Sequence, residues 1–153
     1  DVFGSDAVVI SSDDYIDAKA VEKGLTYSDV FKEYAKEAEM DMYRTIGNAQ
    51  GDPGVRVFLW DQTNLTPKTR KKKLSHFSDD YNKVAVVFSC DEAVRQQRLV
   101  NRPGKVIHPH IDASMLQTYV APSTDEGFDK IISSEDLKSF VEDLAVSINR
   151  IED

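Results

Sequence analysis

A single cysteine, Cys90, stands among 153 residues. The chain therefore forms no internal disulfide and no multi-cysteine zinc site, and nothing in it requires an oxidising compartment. No apolar run approaches the roughly 20 residues of a membrane-spanning helix, and the opening DVFGSDAVVI lacks the pattern of a signal peptide. Glycine and proline number only seven and five, which excludes collagen-like and low-complexity chains. At 41% hydrophobic residues the chain is also too apolar to be disordered. These absences lead to the expectation of an intracellular protein with no membrane partner, and the length fits one domain over residues 1–153.

Basic side chains are outnumbered, 19 against 27, for a formal net charge of -8. The balance reverses between residues 68 and 105, where ten basic side chains face four acidic ones. That net of +6 leaves -14 for the rest of the chain. An acidic body does not wrap nucleic acid over its whole surface, because phosphate contacts dominate such affinity. A concentrated basic stretch can still direct a polyanion, or the phosphates of a nucleotide, to one face. The KTRKKK run (68–73) taken alone reads equally as a solvated helix face.

Short apolar runs alternate with helical patterns. AVVISSDD (7–14) reads as a buried strand ending in a turn. Thr26 or Ser28 caps a helix to about Ile46, whose apolar positions Phe31, Ala35, Ala38, Met42 and Ile46 keep a 3.6-residue period. GDPG (51–54) is a turn, and RVFLWDQTN (56–64) a second strand that places Trp60 in the core. Thr66 and Pro67 form an N-cap and N1 pair for a helix through the basic run. KVAVVFSC (83–90) is a third strand, apolar enough to be buried on both faces, with Cys90 as a small apolar side chain at its end.

Asp91 caps the next helix, and the spacing i, i+3, i+7 puts Arg95, Arg98 and Arg102 along one of its faces before NRPGK (101–105) breaks it. A short helix over about 113–120 follows, then a strand KIISS (130–134). The last helix starts at Ser134, with an apolar stripe of Leu137, Phe140, Val141, Leu144, Ile148 and Ile151. This alternation predicts an α/β fold with a mainly parallel sheet flanked by helices. Such sheets bind ligands beyond the carboxyl ends of their strands. Asp13, Asp14 and Asp61 fall there, although each alone also reads as an ordinary turn or cap residue.

Four stretches carry a family resemblance: SSDDYI (11–16), FLWDQTNLTPKTRKKKL (58–74), RQQRLVNRPGKVIHPHI (95–111) and YVAPSTDEGFDKII (119–132). In this order they resemble the P-loop kinases of the phage polynucleotide-kinase type, an AAA-like kinase family, over nearly the whole chain. The most specific pieces are D-x-T-N-L-x-P-x-x-R (Asp61, Thr63, Asn64, Leu65, Pro67, Arg70) and P-S-T-D-E-G-F-D (122–129). The resemblance implies a P-loop kinase-like fold and transfer of the γ-phosphate of ATP, with Mg2+, to a hydroxyl, foremost the 5′-hydroxyl of a polynucleotide. It implies Asp13 as general base, with Asp14 capping the turn or supporting the site from behind its contacting residues. Asp61 lies near Mg2+ or the acceptor, with Thr63 and Asn64 as positioning groups and Arg70 in the same substrate-binding stretch. Asn64 also reads as a turn residue. The arginine helix and the NRPGK loop become a lid over ATP, with Arg102 bridging the phosphates and Arg98 and Lys105 assisting.

Two departures stand out. Ile16 occupies the position where such kinases often carry an arginine for the acceptor phosphate, which keeps a small-molecule kinase as an alternative. No G-x-x-x-x-G-K-[ST] loop occurs anywhere in the 153 residues. The expectation is that the first strand and its phosphate-binding loop are missing from this chain, residues 1–7 being the loop that leads away from them. A catalytically inactive relative that binds nucleic acid or a protein through residues 68–105 is the other alternative. His108 and His110 alone make a weak metal signal, so no metal ligands are assigned. His76 reads as a helix-surface residue and Phe128 as packing.

Overall fold

The computed structural model describes residues 2–150. Its elements run β1 (Ala7–Ile10), α1 (Asp13–Lys23), α2 (Tyr27–Gln50), β2 (Val57–Trp60), α3 (Pro67–Leu74), β3 (Val84–Val87), α4 (Glu92–Val100), α5 (Pro109–Thr118), β4 (Lys130–Ser133) and α6 (Leu137–Arg150). The strands pair two by two: β1 with β2, and β3 with β4, both parallel. This is a mixed α/β protein with small parallel sheets and helices. The expected single sheet is thus present as two two-stranded ones. No helix among the described residues is long and apolar enough to cross a membrane.

The chain divides into two compact units, residues 3–62 with 98–106, and residues 63–97 with those from 107 onward. In the first, α1 packs on α2 through Ile16, Ala20, Val30 and Ala38, with Tyr15, Tyr27 and Tyr34 closing the rim. Ile10, Ile16 and Val30 are at most 1% exposed, and burying each stabilises by about 1.5–3 kcal/mol. The turn between the helices uses Gly24 at φ 65°, a left-handed position that costs a side chain energy, and its N–H reaches back to Ala20 and Val21. Thr26 then starts α2: its hydroxyl accepts from the Asp29 N–H, and its own N–H donates to Asp29 Oδ2 at 2.9 Å. In the second unit Thr66 caps α3, with Pro67 at its first position. Ile132 on β4 and Ile148 on α6 are buried.

Several local expectations change. The SSDD segment is not a plain turn, because α1 begins at Asp13, where two carboxylates suit the positive end of the helix dipole. Of the two expected caps Thr26 is the one used, and α2 runs on past Ile46 to Gln50. Phe31 is 47% exposed while Val30 is buried, so the stripe is shifted by one position at its start. β3 stops at Val87, is half-buried throughout, and leaves Phe88 and Cys90 exposed in the following loop. Helix α4 ends at Val100, which puts Arg102 in the turn beyond it and off the shared helical face. α5 begins at Pro109, the natural first residue of a helix, about one turn earlier than the pattern implied. α6 begins at Leu137, since residues 134–136 form turns. Ile151, the last residue of its stripe, and Asp1 lie outside the described residues.

Candidate active site

The carboxyl ends of β1 and β2 lie side by side, because Ile10 pairs with Trp60 and the Asp61 N–H bonds the Ile10 carbonyl at 2.9 Å. Ser11 Oγ accepts the Asp13 N–H at 3.2 Å, supporting the first turn of α1. Gln62 ties the two strand ends together: its Nε2 donates to Ser12 Oγ at 2.9 Å, and its Oε1 accepts from Trp60 Nε1 at 3.0 Å. Trp60 is half-buried and meets Tyr43 edge-on. Asp61 is exposed, and its carboxylate has no hydrogen bond or ion pair among the described residues.

Asp13 is the most constrained carboxylate of this edge. Tyr27 Oη donates to Oδ1 at 2.7 Å, and Lys105 Nζ donates to Oδ2 at 2.8 Å. Lys105 also lies 3.8 Å from Asp17 Oδ2 and sits 3.9 Å from the centre of the Tyr27 ring. Partial burial by itself pushes the Asp13 carboxyl up. The hydrogen bonds from Lys105 and Tyr27, with the charges of Lys105 and Arg102, outweigh it and hold the group below its ordinary value of 3.8. The Tyr27 phenol moves the other way, raised by burial first and then by its bond to Asp13 and the nearby carboxylates.

The loop that delivers Lys105 is anchored on α2. The Ser28 N–H donates to the Gly104 carbonyl at 3.0 Å, and Ser28 Oγ accepts from the Val106 N–H at 2.9 Å. Gly104 has φ +75°, and a Cβ there would stand 3.1 Å from Thr26 Cβ, so the close approach needs glycine twice over. An open hollow of about 550 Å3 lies beside it, with Asp17, Val21, Leu25, Tyr27, Pro103 and Lys105 on its wall.

The remaining expected residues are placed differently. Arg70 is 5% exposed. Its Nε and Nη2 each donate to Glu126 at 2.7 Å, and its Nη1 donates to the carbonyls of Asn64 and Val120 at 2.9 Å. It therefore clasps the P-S-T-D-E-G-F-D loop to the start of α3 and presents no free donor fork to a substrate. Asn64 is a left-handed turn residue, φ 48°, whose Oδ1 accepts from Lys73. Burial pushes the Lys73 ammonium down to about 8. Thr63 is exposed. Arg95 is committed to Glu92 and Asp112. Arg98 and Arg102 are exposed and make no hydrogen bond or ion pair among the described residues, while Lys105 is on Asp13. His108 and His110 stack on each other, 5.7 Å between ring centres. Among the described residues no group of three His, Cys, Asp or Glu side chains could hold a metal ion.

Sequence reasoning missed Tyr27, Gln62 and the pairing role of Glu126. Only Glu126 left a signal: a carboxylate without an assigned role in one specific stretch and an arginine in the other. Tyr27 is 14 residues from Asp13, at no spacing that marks contact.

Small parallel sheets flanked by helices are consistent with a P-loop NTPase-like fold. The family model described as an AAA domain matches residues 3–121, and the chain belongs to that family, whose members are nucleotide-binding and kinase-like. No curated protein and no solved structure matches the chain.

Proposed function

We propose that this chain carries the base-bearing, acceptor side of an ATP-dependent phosphotransferase, with the 5′-hydroxyl of a polynucleotide as the leading acceptor. The observation that carries the reading is Asp13: an ionised, half-exposed carboxylate at the carboxyl end of a parallel strand, held by Tyr27 and Lys105, two residues on the wall of an open hollow. There Asp13 takes the acceptor hydroxyl proton as the oxygen bonds to phosphorus, and a carboxylate held low suits this because it accepts the proton late. Bound Mg2+–ATP supplies the phosphoryl group and neutralises its charge.

The residues present fit part of that requirement. Asp61 offers a carboxylate without a partner among the described residues, which suits Mg2+ held by few protein ligands plus phosphate oxygens. Arg98 and Arg102 offer guanidinium forks without a hydrogen-bond or ion-pair partner among the described residues. No glycine-rich Gly-Lys-Ser or Gly-Lys-Thr cradle occurs in the sequence, so this reading assigns the phosphate-binding loop to a further strand on another segment. Two features favour a further segment. Among the described residues each sheet has two strands and so has edges open to another strand, and the cross-strand partners Val9 and Leu59 are 51% and 45% exposed, a face for a covering helix, since parallel sheets are normally covered on both faces.

A second acceptor, a small molecule with a hydroxyl, is favoured by Ile16. At 1% exposure it belongs to the core, and α1 itself offers no cation beside Asp13 for an acceptor phosphate. The test is transfer of labelled γ-phosphate by the full-length protein to a 5′-hydroxyl oligonucleotide, compared with free nucleosides and sugars. Asp13→Asn should lower turnover by about 10²–10⁴-fold with nucleotide affinity retained. Turnover within about threefold of the unmodified protein would remove Asp13 from the base role.

A further inference from the structure

Both oxygens of Asp13 are occupied, yet a base needs one of them open to a hydroxyl. The two donors differ in kind. Tyr27 is a rigid ring on the first turn of α2, part of the rim of the α1–α2 core, and its position cannot change without disturbing that packing. Lys105 reaches in from a loop on a flexible four-carbon stem, and a second carboxylate, Asp17, stands 3.8 Å away to receive its charge.

We propose that Tyr27 is the positioning residue that fixes Asp13 through Oδ1, and that Lys105 is an exchangeable occupant of Oδ2, moving to Asp17 or to an acceptor anion when a hydroxyl takes its place. This rests on the reading of Asp13 as base. The Lys105 ammonium hence acts on the acceptor side of the reaction, not on the nucleotide. The charged and titratable groups that face Asp13 are Tyr27 from α2, Lys105 and Arg102 from the following loop, and Asp17 one turn along α1. An acceptor carrying a phosphate beside its hydroxyl would draw Lys105 away and free the base in one movement. Selection for such acceptors then needs no cation on α1.

The experiment uses the full-length protein and its Tyr27→Phe, Lys105→Met and Lys105→Arg variants. Two quantities are read: the Asp13 carboxyl titration by 13C NMR, and the pH profile of phosphoryl transfer. Tyr27→Phe should lower kcat about tenfold with KM for ATP unchanged, since orientation of a base is a fraction of its full contribution. Both Tyr27→Phe and Lys105→Met should move the Asp13 midpoint, and with it the acid limb of kcat, to higher pH, with Lys105→Arg returning both toward the original. If both midpoints and the acid limb stay in place while Asp13→Asn abolishes transfer, the base reading stands and this inference falls. If Asp13→Asn transfers phosphate normally, the base reading falls, and the NMR titration alone still decides whether the two donors hold Asp13.

Discussion

Removing the Arg70 guanidinium tests a buried side chain with four hydrogen bonds. Arg70→Met keeps length and apolar contact but strands three groups at once. Glu126, at 10% side-chain exposure, loses both 2.7 Å donors, and the carbonyls of Asn64 and Val120 lose theirs. Breaking a buried ion pair by removing one partner costs about 3–5 kcal/mol, because the remaining charge has neither solvent nor counter-ion. A chain of this length melts about 2–4 °C lower for each kcal/mol lost, so Arg70→Met should lower Tm by about 6–20 °C. Thermal and urea unfolding, followed by circular dichroism, read the change. The double variant Arg70→Met with Glu126→Met should be less damaged than the sum of the singles, since it removes the stranded charge along with its partner. Arg70→Lys should fall between, because an ammonium keeps the charge but not the fork. A Tm lowered by less than about 2 °C in Arg70→Met, or strictly additive singles, would refute the clasp.

Two further outcomes follow from named contacts. Gly104→Ala puts a methyl 3.1 Å from Thr26 Cβ at φ +75°, so it should cost about 1–2 kcal/mol and loosen the Lys105 loop. Urea unfolding measures the cost, and an unchanged midpoint would refute it. The Glu126 carboxyl is held below its ordinary 4.5 in the folded chain, mainly by the Arg70 hydrogen bonds. Because the folded value is depressed, its stabilising contribution is whole above about 4.5 and is lost as pH falls through the folded value. Glu126→Gln should therefore flatten the acid limb of stability against pH, and an acid limb of unchanged steepness would contradict the assignment.

Element order was legible because periodicity is local: the strand at 7–10, the Thr26 cap, the Thr66-Pro67 start and the strand at 130–133 all carry their signals within a few residues. What was not legible depends on partners far along the chain. Arg70 looked like a substrate ligand because its motif letter says nothing of Glu126, 56 residues away. Lys105 was expected to assist in the lid, and its position in the loop does not reveal its bond to Asp13, 92 residues back. The start of α1 was hidden for a different reason. Ser-Ser-Asp-Asp has turn propensity when isolated, and only the Ile10 end of β1 and the bonds to Ser11 and Ser12 convert it into a helix start. The division into two small sheets was illegible as well, since strand pairing is set by non-local contacts that hydrophobic runs do not encode.

The charge distribution becomes interpretable once committed cations are separated from unpaired ones. Within the basic stretch, Arg70, Arg95 and Lys105 are neutralised by Glu126, Asp112 with Glu92, and Asp13. Arg98 and Arg102 have no such partner among the described residues, nor do Lys68, Lys71 and Lys72. In a chain of net charge -8 with 27 acidic side chains to choose from, unpaired guanidinium groups are not explained by a shortage of carboxylates. Exposed pairs are worth little in stability, so folding exerts little pull on these groups either way. What distinguishes them is availability: an incoming polyphosphate meets Arg98 and Arg102 without first having to break an ion pair, whereas at Lys105 it must compete with Asp13. Under the proposed function, Arg98 and Arg102 are therefore the two arginines that grip the nucleotide.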